Sequence, residues 1–391
     1  MFPSRKTPLA WSNLVHNKVK LFGALSGVTF AVTLMFMEMG FRNALLDGTV
    51  GLLRTLDADL VLVPRSSYTM GFKQTFPRQR LYEAAQFDEV ASASPLYIET
   101  ARAAWRNPIS GLRRPIRVVG FRPGDAIFLD PAVQRWVEAL NAPDTALFDQ
   151  RGKSHVFGAG AREFKAELVG RPVHVIGSFG LGADFVNDGN LLMTDRNFAH
   201  YFGGHLGSDP DRLPVDLGLI KVRGGYDPAV VARVQAQITR VLPPSVTLHT
   251  KDELITAEKT FWLTSTPIGF VFTMGLVMGF VVGTIICYQI LFSDITSYLR
   301  EYATLLAMGY PRRFLVKIVL EEAVYLALLG FACGTLAALG IYAIAEDRTR
   351  LPFNLDWGRV LLILVATLAM CIVSACFAIQ KLWRAAPAEL F

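Results

Sequence analysis

Two stretches of this chain have the residue types of a phosphate site, and neither has the right frame. Arg151, Gly152, Lys153 and Ser154 end like the glycine-rich loop that cradles phosphates, but its first glycine position is occupied by Leu147. The surrounding sequence predicts neither a buried strand before it nor a clear helix after it. The stretch GSFGLG, Gly177 to Gly182, has its glycines in the wrong order for a dinucleotide fingerprint and reads as a glycine-rich turn. Asp184 and Asp188 lie near each other, yet beside Gly182 and Gly189 turn chemistry accounts for them. A serine elbow, an HExxH pair and a catalytic carboxylate frame are all missing. His16, His155, His174, His200, His205 and His249 are scattered and no CxxC occurs, so no metal site is expected. Cys287, Cys333, Cys371 and Cys376 all fall in apolar runs, which argues against a disulfide framework. Nothing here predicts an enzyme.

The elements that hold these residues explain why. The chain is 52% hydrophobic and only 18% charged, a balance that soluble domains seldom reach. The formal charge of +6 would suggest nucleic acid in a soluble protein, but the basic residues cluster beside apolar runs, so membrane topology accounts for them and nucleic acid is not expected as a partner.

A hydrocarbon core of about 30 Å needs about 20 apolar helical residues to cross it. Four segments qualify, placing membrane spans at 21–42, within 261–292, at 318–345 and at 360–380. Residues 43–260 lack such a run and form a domain outside the bilayer. Lys and Arg flank the N-terminus, residues 293–317 (Arg300, Arg312, Arg313, Lys317) and the tail 381–391 (Lys381, Arg384). By the positive-inside rule these face the cytoplasm, while 43–260 and the short 346–359 loop face outward. The apolar run after residues 1–20 lacks an AxA-type cleavage site, so a retained helix is expected, and Leu9, Trp11, Leu14 and Val15 among polar residues predict an amphipathic helix from Leu9 to Lys20 in the inner headgroup layer.

The 261–292 run is too long for one span, about 48 Å as a helix. Part of it is expected to project as a stalk, with its junction at Ser265, Thr266, Pro267 and Gly269, where Pro267 kinks or starts a helix. Glu38 is the one acid inside a span, and two readings stay open: an interfacial packing role, or a place in a substrate or proton path.

Residues 43–260 mix β-like runs (Asp59 to Val63, Ile116 to Phe121, Pro172 to Phe179, Leu217 to Val222) with helical ones (Pro131 to Leu140, Pro228 to Leu242). That predicts an α+β domain, in one lobe or two.

Between the second and third spans, residues 293–317 offer Tyr298, Leu299, Tyr302, Leu305, Leu306 and Met308, more apolar surface than a soluble loop should show. Such a helix is expected to enter a groove on a partner, with Arg300 and Glu301 forming charge-assisted bonds at the rim. Here the sequence REYATLLAMGY resembles the signature glu-x-x-x-leu-x-ala-x-gly of the FtsX/MacB/LolC class of permeases, matched by Glu301, Leu305, Ala307 and Gly309. The whole chain is similar to the DevC-like permeases of cyanobacterial glycolipid exporters, in PLAW (Pro8 to Trp11), DADLVL (Asp57 to Leu62), DGNL (Asp188 to Leu191), STPIGF (Ser265 to Phe270) and PAELF (Pro387 to Phe391).

This resemblance implies an inner-membrane homodimer with four transmembrane helices, a large periplasmic α+β domain and the MacB-like mechanotransmission topology. A separate DevA-like ATPase, which binds the ATP and Mg, would drive it. A DevB-like membrane-fusion adaptor and a TolC-like outer-membrane channel would complete a tripartite efflux pump for a lipid-like or amphiphilic cargo. Tyr298, Leu299, Arg300, Glu301, Tyr302, Leu305, Met308 and Gly309 would couple the permease to its ATPase. Alternatives are an FtsX-like mechanical regulator of a cell-wall hydrolase and a LolC-like lipoprotein-release permease.

Overall fold

Strand residues alternate between two faces, and in this chain both faces are apolar. Leu60 and Leu62 pack into one buried cluster while Val61 and Val63 pack into another. The same split separates Leu191 and Met193 from Leu192, and Val118 from Val119. A strand buried on both sides reads as a continuous hydrophobic run, and it needs a helical layer on each face.

The computed structural model describes residues 9–384 apart from 17, 159–162, 185, 226, 352 and 354. Residues 1–8 and the PAELF tail, which carry part of the sequence argument, lie outside the described residues. The chain divides into a helical unit (Met1–Asn43, Ile268–Ala345, Phe353–Phe391) and a sheet unit (Ala44–Pro267, Glu346–Pro352).

Along the chain, the helices are α1 (Leu9–His16), α2 (Lys18–Thr49), α3 (Gly51–Thr55), α4 (Gln79–Ala85), α5 (Pro131–Trp136), α6 (Ser154–Phe157), α7 (Asp195–Phe202), α8 (Pro228–Val241), α9 (Lys251–Thr264), α10 (Pro267–Ser297), α11 (Leu299–Ala307), α12 (Arg312–Thr349) and α13 (Trp357–Arg384). The strands are β1 (Leu60–Pro64), β2 (Val90–Glu99), β3 (Ala104–Arg106), β4 (Arg113–Pro115), β5 (Arg117–Phe121), β6 (Thr145–Asp149), β7 (Phe164–Leu168), β8 (Arg171–Phe179), β9 (Asn190–Thr194), β10 (Leu217–Val222) and β11 (Val246–Thr250).

Among the described residues, all strands join one 11-stranded sheet in the order β11-β1-β10-β2-β5-β9-β6-β8-β7-β3-β4. The domain is therefore built on one sheet, not two lobes. Most neighbours are antiparallel, with parallel pairs at β5–β9 and β6–β8. Leu81 of α4, Phe198 of α7 and Val234 of α8 cover one face; Leu52 of α3, Val133 of α5 and Leu254 of α9 cover the other. The helix expected over Pro131 to Leu140 stops at Trp136, and a separate 3-10 turn follows at Ala139–Asn141. Gly177 of β8 leaves the room that the Trp136 ring occupies. Pro228 at the first turn of α8 and the Asp227 carboxylate accepting from Ala229 N start that helix.

In the helical unit, α2, α10, α12 and α13 are long and apolar enough to cross a membrane. Apolar side chains give little drive for association in lipid, so close approach of backbones at small residues holds such helices together. A side chain at Gly334 of α12 would begin 2.6 Å from Val32 of α2, and one at Gly283 of α10 would meet Met370 of α13 and Ala31 of α2. The Ser374 hydroxyl of α13 donates to the Thr284 carbonyl of α10 at 2.7 Å. The Tyr342 hydroxyl of α12 donates to the Phe36 carbonyl of α2. Glu38 faces Gly275 of α10, whose missing side chain leaves the space its carboxylate fills. Trp11 of α1 packs edge-on against Tyr325 of α12, with centroids 5.5 Å apart, and Leu14 is buried in the same core.

Candidate functional site

The α10–α11–α12 connection is built by its terminators. α10 runs on through Ser297, and Tyr298 breaks it with φ −96° and ψ 12°, outside the helical range. α11 ends because Gly309 stands at φ +92°, a left-handed conformation that a side chain would strain. The Gly309 N–H donates to Leu306 O at 3.0 Å and the Tyr310 N–H to Leu305 O at 3.2 Å, satisfying the helix's last carbonyls. The glycine of the signature is thus a helix stop that lets Pro311 and α12 begin at once.

On α11, Tyr302 turns inward and is 6% exposed, with Tyr298 and Leu305 packed partly against the same helical core. Arg300, Glu301, Leu306 and Met308 are exposed, and Leu299 is half-buried. The expected contact face is therefore narrower in the structure than the apolar residues alone suggest, because residues three and four apart, on one face of the helix, serve the bundle. Lys20 of α2 donates to the Ser297 hydroxyl at 2.7 Å and lies 3.8 Å from Asp294, which fixes the end of α10.

At the other end of α10, the chain breaks at Ser265 and Thr266. The Ser265 N–H still bonds Phe261 O at 2.8 Å, the Thr266 hydroxyl bonds Trp262 O at 2.6 Å, and Pro267 opens α10, with Gly269 buried. The segment before this break is α9, started by a capping box in which Thr250 and Glu253 exchange bonds.

α9 carries a cluster that sequence reasoning missed. Glu258, 3% exposed, accepts from the Thr69 hydroxyl at 2.6 Å, the Met70 N–H at 2.9 Å and the Trp262 indole at 2.9 Å. Next to it, Lys259 lies 2.7 Å from Asp47, which also holds Arg54 at 3.1 Å. The loop that Glu258 clasps continues to Lys73, which donates to Ile98 O at 2.5 Å and reaches Glu99 at 3.2 Å and Asp216 at 3.6 Å. Burial raises the Asp216 carboxyl to about 7 despite Lys73. Burial acts on Glu99 in the same direction, but its hydrogen bonds from Arg102 and the charge of Lys73 win and hold it below the ordinary value. No local spacing pointed to Glu258, because Thr69 and Met70, which it clasps, lie far away in the chain.

The stretches with phosphate-site residues resolve into structure. A fully buried strand, β6, does precede RGKS, contrary to expectation, and the one-turn α6 follows. Lys153 is committed to Asp188 at 2.6 Å. GSFGLG is half strand: Gly177 to Phe179 finish β8, and only the rest turns. Leu181 and Gly182 then donate their N–H groups to the Asp149 carboxylate at 2.9 and 2.8 Å. The amide of Asn190, from the DGNL stretch, donates to the same carboxylate at 2.6 Å and accepts from Arg117, which also pairs with Asp184 at 2.5 Å. These acids serve a buried structural network. Among the described residues, no group of three or more His, Cys, Asp or Glu is placed to hold a metal ion.

Four membrane-length helices, an interhelical block ended by a left-handed glycine, and a large mixed sheet define a helical membrane protein with one large α+β domain. Residues 272–387, from α10 through α13, match the family model described as FtsX-like permease C-terminal. Among solved structures, the extracellular domain of the noncanonic ABC-type transporter YknZ from Gram-positive bacteria is similar over 49% of this chain and 98% of its own, at 12% identity and a TM-score of 0.32. No curated protein matches the chain.

Proposed function

We propose that this chain is the permease subunit of an exporter that couples ATP hydrolysis in a separate chain to motion of its sheet unit, and so drives a lipid-like or amphiphilic cargo outward. The observation that carries this reading is the family match across α10–α13, which encloses α11 with Arg300, Glu301, Leu306 and Met308 exposed. In this reading α11 enters a groove on the ATPase, which binds ATP and Mg. Both termini are cytoplasmic, and the sheet unit lies in the periplasm of a bacterium with two membranes. The α9–α10 junction at Ser265 to Gly269 relays movement. A second copy of the chain, a DevB-like adaptor and a TolC-like channel complete the assembly, and glycolipid is the cargo class suggested by the DevC-like sequence blocks.

The test is a tagged purification in mild detergent, with co-purifying proteins and lipids identified by mass spectrometry. An ATPase with an adaptor-type protein supports the exporter. An ATPase with a peptidoglycan hydrolase or its activator, and no adaptor, overturns it in favour of a mechanical regulator. Changing Glu301 and Leu305 together to Ala is expected to abolish ATPase co-purification, and unchanged recovery would remove α11 from the coupling role.

A further inference from the structure

The sheet unit contains a cavity of about 390 Å³ between the 67–74 loop, the ends of β2 and β10, and α9. That size falls at the small end of ligand sites, which run from roughly 300 to 1,000 Å³. Its wall is mainly apolar, with Met70, Leu254 and Ala257 among its residues, and the exposed rings of Tyr68 and Phe72 belong to the loop that covers it.

The charges in the wall do not balance. Two carboxylates line it, Asp216 at 7% exposure and Glu258 at 3%, against one ammonium, Lys73. That ammonium is shared: it sits closest to the Ile98 carbonyl and then to Glu99, and it reaches Asp216 only at 3.6 Å. Asp216 Oδ2 accepts from the Ile98 N–H at 2.9 Å, which leaves Oδ1 with the distant lysine. Glu258 takes three neutral donors and, among the described residues, pairs with no cation. A buried carboxylate short of positive charge favours any ligand that brings one.

We propose that this cavity binds an amphiphile with an apolar body and one protonated amine, the amine seated on Asp216 Oδ1 and the body against Met70, Leu254 and Ala257. This rests on the reading above in which the cargo is amphiphilic, and it narrows the class to cationic amphiphiles. The loop from Ser67 to Gln74 is then the lid. Its anchors at Thr69 and Met70 are held by Glu258, on the helix that leads to Pro267 and α10.

The full chain in lipid nanodiscs is titrated with dansylcadaverine, which carries an amine, and separately with neutral dansylamide and anionic dansylglycine, with empty nanodiscs subtracted. The expected result is saturable fluorescence enhancement by dansylcadaverine at least about tenfold tighter than by dansylamide, and none by dansylglycine. Asp216→Asn removes the preference for the amine, while Ala257→Trp, which fills the cavity, removes the binding of both dansylcadaverine and dansylamide. The preference weakens as pH falls below 7, as Asp216 is protonated; Lys73, Glu258 and His249 in the wall, and Glu99 beside Lys73, are the other titratable groups around it. Equal binding of the three dyes, or amine binding unchanged in both variants, overturns the proposal. Amine binding without a co-purifying ATPase would sink the exporter reading alone, and an ATPase without amine binding would sink this inference alone.

Discussion

The carboxylate of Glu258 accepts the hydroxyl of Thr69 at 2.6 Å across 189 positions of sequence. That contact ties a loop at the edge of β1 to the helix whose end becomes the α9–α10 break. With the Met70 N–H and the Trp262 indole it makes three hydrogen bonds to one buried acid, and such bonds to a charged group are worth about 1.5–3 kcal/mol each when net.

Glu258→Ala is expected to free the 67–74 loop before it unfolds the domain. Limited proteolysis should cut within that loop at protease concentrations that leave the native chain intact, and the melting temperature should fall. Glu258→Gln, which still accepts hydrogen bonds, should lie between the two. A loop as resistant in the alanine variant as in the native chain would show that the clasp contributes nothing.

Gly309→Val should weaken ATPase recovery although an added side-chain carbon there would meet nothing within 4 Å. A β-branched residue at φ +92° costs on the order of 1–2 kcal/mol, and α11 would lose its stop. Co-purification is the readout, with Met308→Ala as a comparison that alters an exposed side chain and leaves the backbone alone.

The pH dependence of stability should carry opposite contributions from two neighbours. Asp216 has a folded value of about 7, raised from 3.8, so its contribution is complete below the unfolded value and is lost as pH rises toward and through 7. Glu99 is held below its ordinary 4.5, so its contribution is present above that value and is lost in acid. Asp216→Asn should therefore flatten the decline in melting temperature between about pH 4 and 7. A native profile already flat in that window would contradict the burial of Asp216.

Gly334→Leu should separate α2 from α12. The first added carbon would lie 2.6 Å from Val32, closer than packing permits, and overpacking of this kind costs typically about 1–3 kcal/mol. Gel filtration in detergent should show loss of the monodisperse peak, whereas Gly340→Leu, where an added carbon meets nothing within 4 Å, should leave it unchanged.

The four membrane helices were legible because each needs only its own composition: a run of apolar residues satisfies its backbone internally and meets the length of the bilayer. The break at Ser265 and Thr266 was legible for a local reason too, since Pro267 cannot donate to the preceding turn. The sheet was legible in part. β1, β5, β8 and β10 announced themselves as apolar, β-branched runs, whereas β2, with Ser92, Ser94 and Pro95 in its middle, did not. β2 is a strand because β10 and β5 pair with it on either side, a contribution that no window of its own sequence contains.

The residues of α11 show the same division. Their apolar excess and the terminating glycine were visible in order, but which of them turn inward was not: Tyr302 belongs to the bundle and Met308 to the surface. Sequence by itself determined the spans, the separate sheet domain and the position of the interhelical block, because periodicity and length act through neighbours in the chain. Only the tertiary structure decided that the domain is a single sheet, that Asp149 and Arg117 organise a buried network, and that Glu258 and Asp216 meet one loop. Those outcomes depend on pairing and charge burial between residues far apart in the chain, and the free energy of such contacts is set by where the fold brings them together.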